Sequence, residues 1–370
     1  MTRLPETGAV LAVRRGVRGW VAARGGPEAV VVGLSGGADS LALVAAAAVE
    51  CGDVTAVVVD HGLQDGSGEV AEWAVRQARA LGCAEAFVVR VEVGRDGGVE
   101  AAARAARYAA LESVRDGRPV LLGHTLDDQA ETVLLGLARG SGGRSIQGMA
   151  AWNAPWGRPL LGVRRAETVQ MCADLGIEPW DDPHNSDPAY TRVRLRTEVL
   201  PLLEEVLGGG VAQALARTAD QLRDDGTVLD TLAEDLLRAA RVPARPSDGV
   251  VDGAPAESTP ADSGADDTDR PALTLEILAT APAALRRRVV RAWLAEQGIS
   301  GVLNAHLQAI DELVTSWRGQ GGVAVAGGDR VHRLVVTREH GTLTVRAQPR
   351  RDRHHEGTPL PCTETTSRRY

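Results

Sequence analysis

The side chains best suited to chemistry fall in four short clusters. The first is Ser35-Gly36-Gly37-Ala38-Asp39-Ser40, set between the apolar run 29–32 and an Ala/Leu-rich segment over 41–49. That pattern reads as buried strand, tight turn and helix. Two adjacent glycines let the backbone turn sharply and approach a ligand closely. The N–H groups of the first helical turn have no intrahelical partner and face the loop, which makes an anion site. Ser35 and Ser40 add hydroxyls, and Asp39 is the candidate ligand for a magnesium ion accompanying bound phosphates.

The second cluster, Asp60-His61-Gly62-Leu63-Gln64, ends the apolar run 54–59. A polar turn would account for it, but a strand end also places Asp60 or His61 beside a nucleotide. The third lies on the helical pattern 99–114, where three- and four-residue spacing puts Glu100, Arg104, Arg107, Tyr108 and Leu111 on one stripe. Such a stripe is either a solvated face with a Glu100–Arg104 pair or a surface for a phosphate or a base. The fourth follows the run 120–122: Gly123-His124-Thr125, then Asp127-Asp128-Gln129-Ala130-Glu131-Thr132. Thr125 suits an N-cap and the aspartates suit the positive helix start. Capping explains neither His124 nor so many polar groups in the first two turns of a helix that should pack on a sheet. Asp128 with Thr132, and Asp127 with Glu131, share faces able to hold metal, phosphates and a nucleophile.

These clusters need a scaffold that brings strand ends together. Apolar runs at 29–32, 54–59, 87–91 and 120–122 alternate with helical patterns at 70–81 and 99–114. The alternation predicts an α/β fold, a parallel sheet with helices on both faces, whose ligands bind at the carboxyl ends of the strands. The loop is neither a Walker loop nor a Gly-x-Gly-x-x-Gly turn, and the chain contains no lysine at all.

Ser-Gly-Gly-x-Asp-Ser resembles the pyrophosphatase loop (PP-loop) of enzymes that split ATP between its α and β phosphates. The ordered set extends through Asp60-His61-Gly62-Leu63, Arg104-x-x-Arg107-Tyr108 and Gly123-His124-x-x-Asp127-Asp128-Gln129-Ala130-Glu131-Thr132. It continues in Arg139-Gly140-Ser141-Gly142, Arg158-Pro159-Leu160-Leu161, Asp182-Pro183-x-Asn185-x-Asp187 and Tyr190-Thr191-Arg192-x-Arg194-x-Arg196. Together, over roughly 28–205, these resemble the tRNA(Ile)-lysidine synthetases. Gln64 stands where that family usually has arginine, and Val193 where asparagine is common.

The resemblance implies a PP-loop (adenine nucleotide α-hydrolase-like) catalytic domain at 1–208 and a smaller, mainly helical α+β domain at 209–346 that positions tRNA. It implies an ATP-dependent ligase joining free lysine to cytidine 34 of the CAU anticodon through an adenylate. ATP would rest on Ser35, Gly36, Gly37, Ala38, Asp39, Ser40, Asp60, His61, Arg104 and Arg107, with Mg2+ on Asp39. Asp39, His124, Asp127, Asp128 and Glu131 are the catalytic candidates. A PP-loop tRNA thiolase is the neighbouring alternative, and an ATP sensor or RNA-binding protein the distant one. Thiolation usually needs a cysteine to carry sulfur, and Cys51, Cys83, Cys172 and Cys362 lie outside the motifs.

Composition sets the remaining bounds. The net charge of −8 argues at first against RNA, but seven acidic residues and two arginines within 243–270 supply −5 of it. All the basic charge is arginine, suited to bidentate phosphate recognition. Residues 139–165 read as a Gly/Arg loop with aromatics (Arg139, Arg144, Trp152, Trp156, Arg158, Arg164 and Arg165), either a solvated loop or a surface of the kind that binds single-stranded RNA. Three arginines open the helical pattern 191–206, against the helix dipole, which points to an anionic partner. Further helical patterns cover 210–240, 275–297 and 302–317, with Arg286-Arg287-Arg288 and Arg291 as a basic patch; 321–346 alternates like antiparallel strands. The Pro/Asp/Ser-rich segment 243–271 and the tail 347–370 read as disordered. Scattered cysteines, no apolar run of about 20 residues and no signal-peptide core favour a cytoplasmic protein without a membrane span. A homodimer is compatible with the sequence.

Overall fold

The computed structural model describes residues 4–62, 64, 66–94, 98–140, 142–182, 187–242 and 270–350. The chain forms two compact units, Met1–Gly226 and Thr227–Tyr370. Most of the acidic segment (243–269) and the tail from 351 lie outside the described residues.

The first unit runs α1 (Gly8–Ala23), β1 (Ala29–Leu34), α2 (Ala38–Glu50), β2 (Asp53–Asp60), α3 (Ser67–Ala80), β3 (Glu85–Arg90), α4 (Val99–Val114), β4 (Val120–Leu121) and α5 (Leu126–Arg139). After a 3-10 turn at Gly143–Ile146 come β5 (Trp152–Asn153), β6 (Trp156–Gly157), α6 (Arg165–Asp174), α7 (Thr191–Arg194) and α8 (Leu200–Val206), with a π-helical turn at Leu195–Val199 joining the last two. The sheet has the order β3-β2-β1-β4-β6-β5. It is parallel except for the antiparallel β5–β6 pair, and Val31 lies opposite both Thr55 and Val120. The strand order reverses between β1 and β4, so the loops after these two strands open into one crevice.

Residues 30–34 of β1 are all buried, as a central strand covered on both faces requires. On one face Val10, Val13, Val17 and Trp20 of α1 form a single stripe that shares a core with Leu41–Ala47 of α2, Ala74 of α3 and Met171 of α6. On the other face Leu111 of α4 packs with Val31, Val57, Val120 and Leu122. Truncating a fully buried leucine such as Leu111 would cost about 2–5 kcal/mol.

Helix α9 (Val211–Ala240) contains the division between the units, later than the boundary at 208 expected from the sequence. Its first turns belong to the first unit: Ala212 and Ala216 pack with Leu126 and Leu200, and the Arg223 guanidinium donates to the Gln147 and Met149 carbonyls.

The second unit is α+β. It comprises β7 (Arg241–Val242), β8 (Ala272–Thr274), α10 (Leu275–Thr280), α11 (Ala283–Glu296), α12 (Asn304–Thr315), β9 (Val323–Gly328), β10 (His332–Glu339) and β11 (Thr342–Pro349). These strands form an antiparallel sheet of order β7-β8-β11-β10-β9 around Trp293, Leu278, Leu294 and Ile310. The expected single helix over 275–297 is two helices. Pro282 holds Ala281 extended (φ −79°, ψ 153°) and offers no N–H to continue the first. Gln348 and Pro349, assigned to the tail from sequence, are strand residues paired with Arg333 and His332. The basic patch is partly engaged internally: Arg286 and Arg287 share Asp311, at 2.7 and 3.5 Å, Arg288 meets Asp230 at 2.9 Å, and Arg291 donates to the Val302 carbonyl at 3.2 Å. Among the described residues no single helix is long and apolar enough to cross a membrane.

Candidate active site

The phosphate-type loop is built as its residues require. Gly36 adopts φ +86°, a conformation L side chains rarely take, and a Cβ there would lie 3.4 Å from the Trp73 ring and 3.5 Å from the Trp180 Cβ. Gly37 is the N-cap of α2 and makes no side-chain cap, leaving the first-turn N–H groups to a ligand. Buried Ser40 fixes the turn: its Oγ donates to the Gly37 carbonyl at 2.9 Å and accepts the Ser35 N–H at 3.1 Å. The Trp180 N–H donates to the Gly36 carbonyl at 3.0 Å, and Gln64 reaches the same segment through Asp182 at 3.0 Å. Gln64 therefore makes with a neutral amide a link for which an arginine would use a charge. Leu63, Ser141, Pro183 and Asn185 lie outside the described residues.

Beside the loop, α5 presents its carboxylates. Thr125 caps the helix and forms a capping box with Asp128, whose Oδ2 accepts the Thr125 N–H and Oγ1 at 2.8 Å each. The other Asp128 oxygen faces Arg165 of α6 at 2.6 Å. The same guanidinium lies 3.3 Å from Asp39 and 3.4 Å from Glu131, so it ties α2, α5 and α6 together. Arg196, from the π-helical turn, adds a 2.9 Å contact to Glu131, which is fully buried. Thr168 donates to the second oxygen of Asp39. Burial pushes the Asp39 carboxyl up, beyond what Arg165 and Thr168 pull back. Burial pushes Asp128 the same way, but Arg165, the Thr125 N–H and His124 outweigh it and hold this carboxyl below the usual range. Asp39 is a carboxylate of the type magnesium takes, and both its oxygens are engaged here, one by Arg165 and one by Thr168.

Asp127 does not join this group. Its Oδ2 accepts the Arg165 backbone N–H at 2.7 Å, and Arg164 clamps its other oxygen at 3.0 Å, so it caps the start of α6. Asp60 is likewise engaged locally, by the Gly62 N–H at 3.0 Å and the Ser67 hydroxyl at 2.7 Å, with Arg90 at 3.7 Å.

Basic groups surround the remaining strand ends. His124 follows β4 and its buried Nδ1 has no partner. Burial, reinforced by Arg158, Arg104 and Arg107 against the opposing pull of Asp128, lowers its pKa to about 4, so the imidazole is neutral near pH 7. His61 also has a buried, unpartnered Nδ1, and burial and Arg107 lower its pKa. Arg104 is exposed and lies over the Tyr108 ring at 4.9 Å, while Tyr108 meets Trp156 edge-on at 4.5 Å. The side chain of Glu100 lies outside the description. The site is thus bipolar, with ion-paired carboxylates on one side and neutral imidazoles with guanidinium groups on the other.

Of the residues singled out from the sequence, the structure places Asp39, Asp128 and Glu131 around one guanidinium, with His124 close to Asp128. Sequence reasoning missed Arg165, Arg196 and Thr168 as parts of the cluster. Arg158, Arg164, Arg165, Arg192 and Arg196, read as RNA-facing, have internal partners instead; Arg192 is 4.0 Å from Glu131 and Arg158 donates to the Ala150 carbonyl at 3.1 Å. Cys172, far from the motifs in sequence, places its thiol 3.5 Å from the Ala38 carbonyl, but burial and Asp39 push its pKa up to about 11.

Comparison with known families assigns both units. Residues 17–203 match the PP-loop domain and residues 273–344 the TilS substrate binding domain. A tRNA(Ile)-lysidine synthase of Nocardia farcinica is 63% identical over 340 residues, covering 91% of this chain and 98% of that protein. Those of Rhodococcus erythropolis and Mycobacterium tuberculosis are 56% and 55% identical, covering 94% and 86% of this chain and 99% and 91% of theirs. Among solved structures, a U34-tRNA thiolase of Methanococcus maripaludis shares 18% identity at a TM-score of 0.48, covering 58% of this chain and 79% of that one. With loop, carboxylates and both domains in place, the chain belongs to the tRNA(Ile)-lysidine synthase family.

Proposed function

We propose that this protein ligates free lysine to C2 of cytidine 34 in the CAU anticodon of tRNA(Ile), through an adenylated base. In the first step the C2 carbonyl oxygen attacks the α-phosphorus of ATP and pyrophosphate leaves. The free N–H groups at the start of α2 stabilise the charge developing on the leaving group. His124, neutral near pH 7, can donate a hydrogen bond toward the phosphates without adding charge. Magnesium on Asp39 would offset the polyphosphate charge.

In the second step the lysine ε-amine attacks C2 and AMP leaves. The amine arrives as an ammonium and must lose a proton, for which a carboxylate is needed as anchor and base. Asp128 and Glu131 are the candidates. Asp127 was an equal candidate by residue type, but its place as a cap of α6 argues against it. The target base must leave the anticodon stack to reach this crevice.

The observation that carries the reading is Asp128 and Glu131 standing beside Asp39 of the phosphate loop, joined through Arg165. A thiolase reading is disfavoured because Cys172, the thiol beside the loop, is buried and its pKa is far above neutrality. The decisive assay combines purified protein, CAU-anticodon tRNA, labelled lysine and ATP. Lysine incorporation with stoichiometric AMP and pyrophosphate is expected; release of pyrophosphate without lysine incorporation would sink the proposal.

A further inference from the structure

We infer that Arg165 is a displaceable counter-ion: its guanidinium holds Asp39 and Asp128 until a substrate cation, the lysine ammonium or the magnesium that accompanies ATP, takes its place. This rests on the reaction proposed above, whose two cations both need a carboxylate in this crevice. Arg165 acts through those carboxylates and is a positioning residue.

The oxygens such a cation would use are already engaged. Asp128 spends Oδ2 on the Thr125 capping box, and its Oδ1 lies 2.6 Å from Arg165 Nη2. Asp39 gives one oxygen to the Thr168 hydroxyl and the other, at 3.3 Å, to Arg165 Nε. A second cation on the same oxygen would stand beside the guanidinium, where like charges repel. The incoming cation therefore binds in exchange for Arg165 rather than in addition to it.

The way Arg165 is anchored suits exchange. Its main chain is fixed, because Asp127 accepts its N–H at 2.7 Å as α6 begins. Its side chain, among the described residues, is held only by Asp39, Asp128 and Glu131. Rotation about the side-chain bonds thus removes the charge without moving the helix. Arg165 is also the first residue of α6, where the helix dipole disfavours a cation. The side chains of Arg165, Asp39 and Asp128 are 22%, 25% and 15% exposed, so a cation from solvent can reach them.

Glu131 stands apart from the other two. Its side chain is fully buried, and Arg196 at 2.9 Å and Arg192 at 4.0 Å keep it paired when Arg165 leaves. Asp128 has only the more distant Arg196, at 3.6 Å, and Asp39 has no second cation among the described residues. These two are the carboxylates handed over. Without substrate, Arg165 spares them from facing each other unpaired in a largely buried site, and the same penalty keeps it there until a replacement arrives.

The test compares Arg165→Met and Arg165→Lys with wild type in the full chain. One arm measures equilibrium binding of labelled lysine, with CAU-anticodon tRNA and a non-hydrolysable ATP analogue present. Norleucine, which lacks the ε-amine, is measured in the same arm as a competitor. The other arm finds the magnesium concentration that gives half-maximal binding of the analogue. Arg165→Met should bind lysine, magnesium or both about tenfold more tightly, as for a guanidinium displaced about a tenth of the time in wild type, with norleucine unchanged. Arg165→Lys, which retains a cation, should fall between the two. Tightening for lysine alone assigns the exchange to the ammonium, and for magnesium alone to the metal. Equal or weaker binding of both cations by Arg165→Met overturns the inference and marks a fixed structural tie. An equal gain for norleucine overturns it too, because added space and not charge would be the cause. If Arg165→Met does not fold, a crystal structure of wild type with lysine and the analogue bound decides: a guanidinium released from Asp39 or Asp128 supports exchange, and one still bonded to both refutes it. Lysine incorporation by wild type tests the underlying reaction separately.

Discussion

Gly123 lies against the backbone of Asp39: a Cβ on Gly123 would stand 3.0 Å from the Asp39 carbonyl oxygen and 3.1 Å from the Ser40 nitrogen. The end of β4 and the first turn of α2 can approach this closely only because residue 123 has no side chain. His124 and the phosphate loop are consequently held together by backbone, across 84 residues of sequence. Gly123→Ala should cost about 1–3 kcal/mol by overpacking, visible as a lower unfolding temperature. ATP-dependent turnover should fall more steeply than stability, since the displaced groups are those nearest the reaction.

Asp39 and Asp128 should separate by step. Asp39→Ala is expected to reduce pyrophosphate release by roughly a hundredfold or more, because the charge opposite the polyphosphate would lose its protein anchor. Retained pyrophosphate release would show that magnesium is held elsewhere.

Asp127 and Asp128 are adjacent in sequence and differ in task. Asp127→Asn keeps an acceptor for the Arg165 N–H and should stay within a few-fold of wild-type activity. Asp128→Asn loses the charge beside Glu131 and should lower lysine transfer by about 10²–10⁴, the usual range for a general base. Single-turnover lysine incorporation on preformed tRNA complex discriminates the two, and equal losses would refute the division.

Arg165 carries the cluster electrostatically. Its pKa is raised because Asp128, Asp39 and Glu131 together more than offset the effect of burial, the largest single influence. Removing one partner of a largely buried set leaves like charges facing each other, so Arg165→Met should destabilise by about 3–5 kcal/mol. Arg165→Lys should recover part of that in thermal unfolding but not the full activity, since an ammonium cannot span three carboxylates as a planar fork does.

The depressed pKa of His124 has a sign that can be checked. Its folded value of about 4 lies below the ordinary 6.5, so the folded state binds the proton less readily than the unfolded chain. The protein should therefore lose stability as pH falls from about 6.5 toward 4 and be indifferent to this group above 7. His124→Gln should flatten that part of the denaturation profile; an unchanged slope would mean that other groups set it.

Much of this was legible in the sequence, for reasons visible in particular residues. Val30–Val32 and Ala56–Val59 are continuous apolar runs because both faces of the sheet are covered, and such runs announce parallel strands. Ser35–Ser40 and Thr125–Asp128 are local motifs whose hydrogen bonds close within five residues. Arg165 could not be assigned in the same way, because its contact with Asp39 spans 126 residues and an arginine at a helix start carries no mark of its partner. Nor could residue type tell Asp127 from Asp128: one helical step turns a side chain by about 100°, enough to send one to α6 and the other to the crevice. Pro282, by contrast, was a helix breaker in plain view.

Every cation paired with the carboxylate cluster is a guanidinium, and the 370 residues contain no lysine. A guanidinium stays protonated at any pH the protein would meet and is a poor nucleophile. In the proposed reaction an adenylated cytosine would therefore face no side-chain primary amine from the protein that activates it. Self-modification at a lysine is closed off by composition, and the activated base can wait for the amine that arrives as substrate.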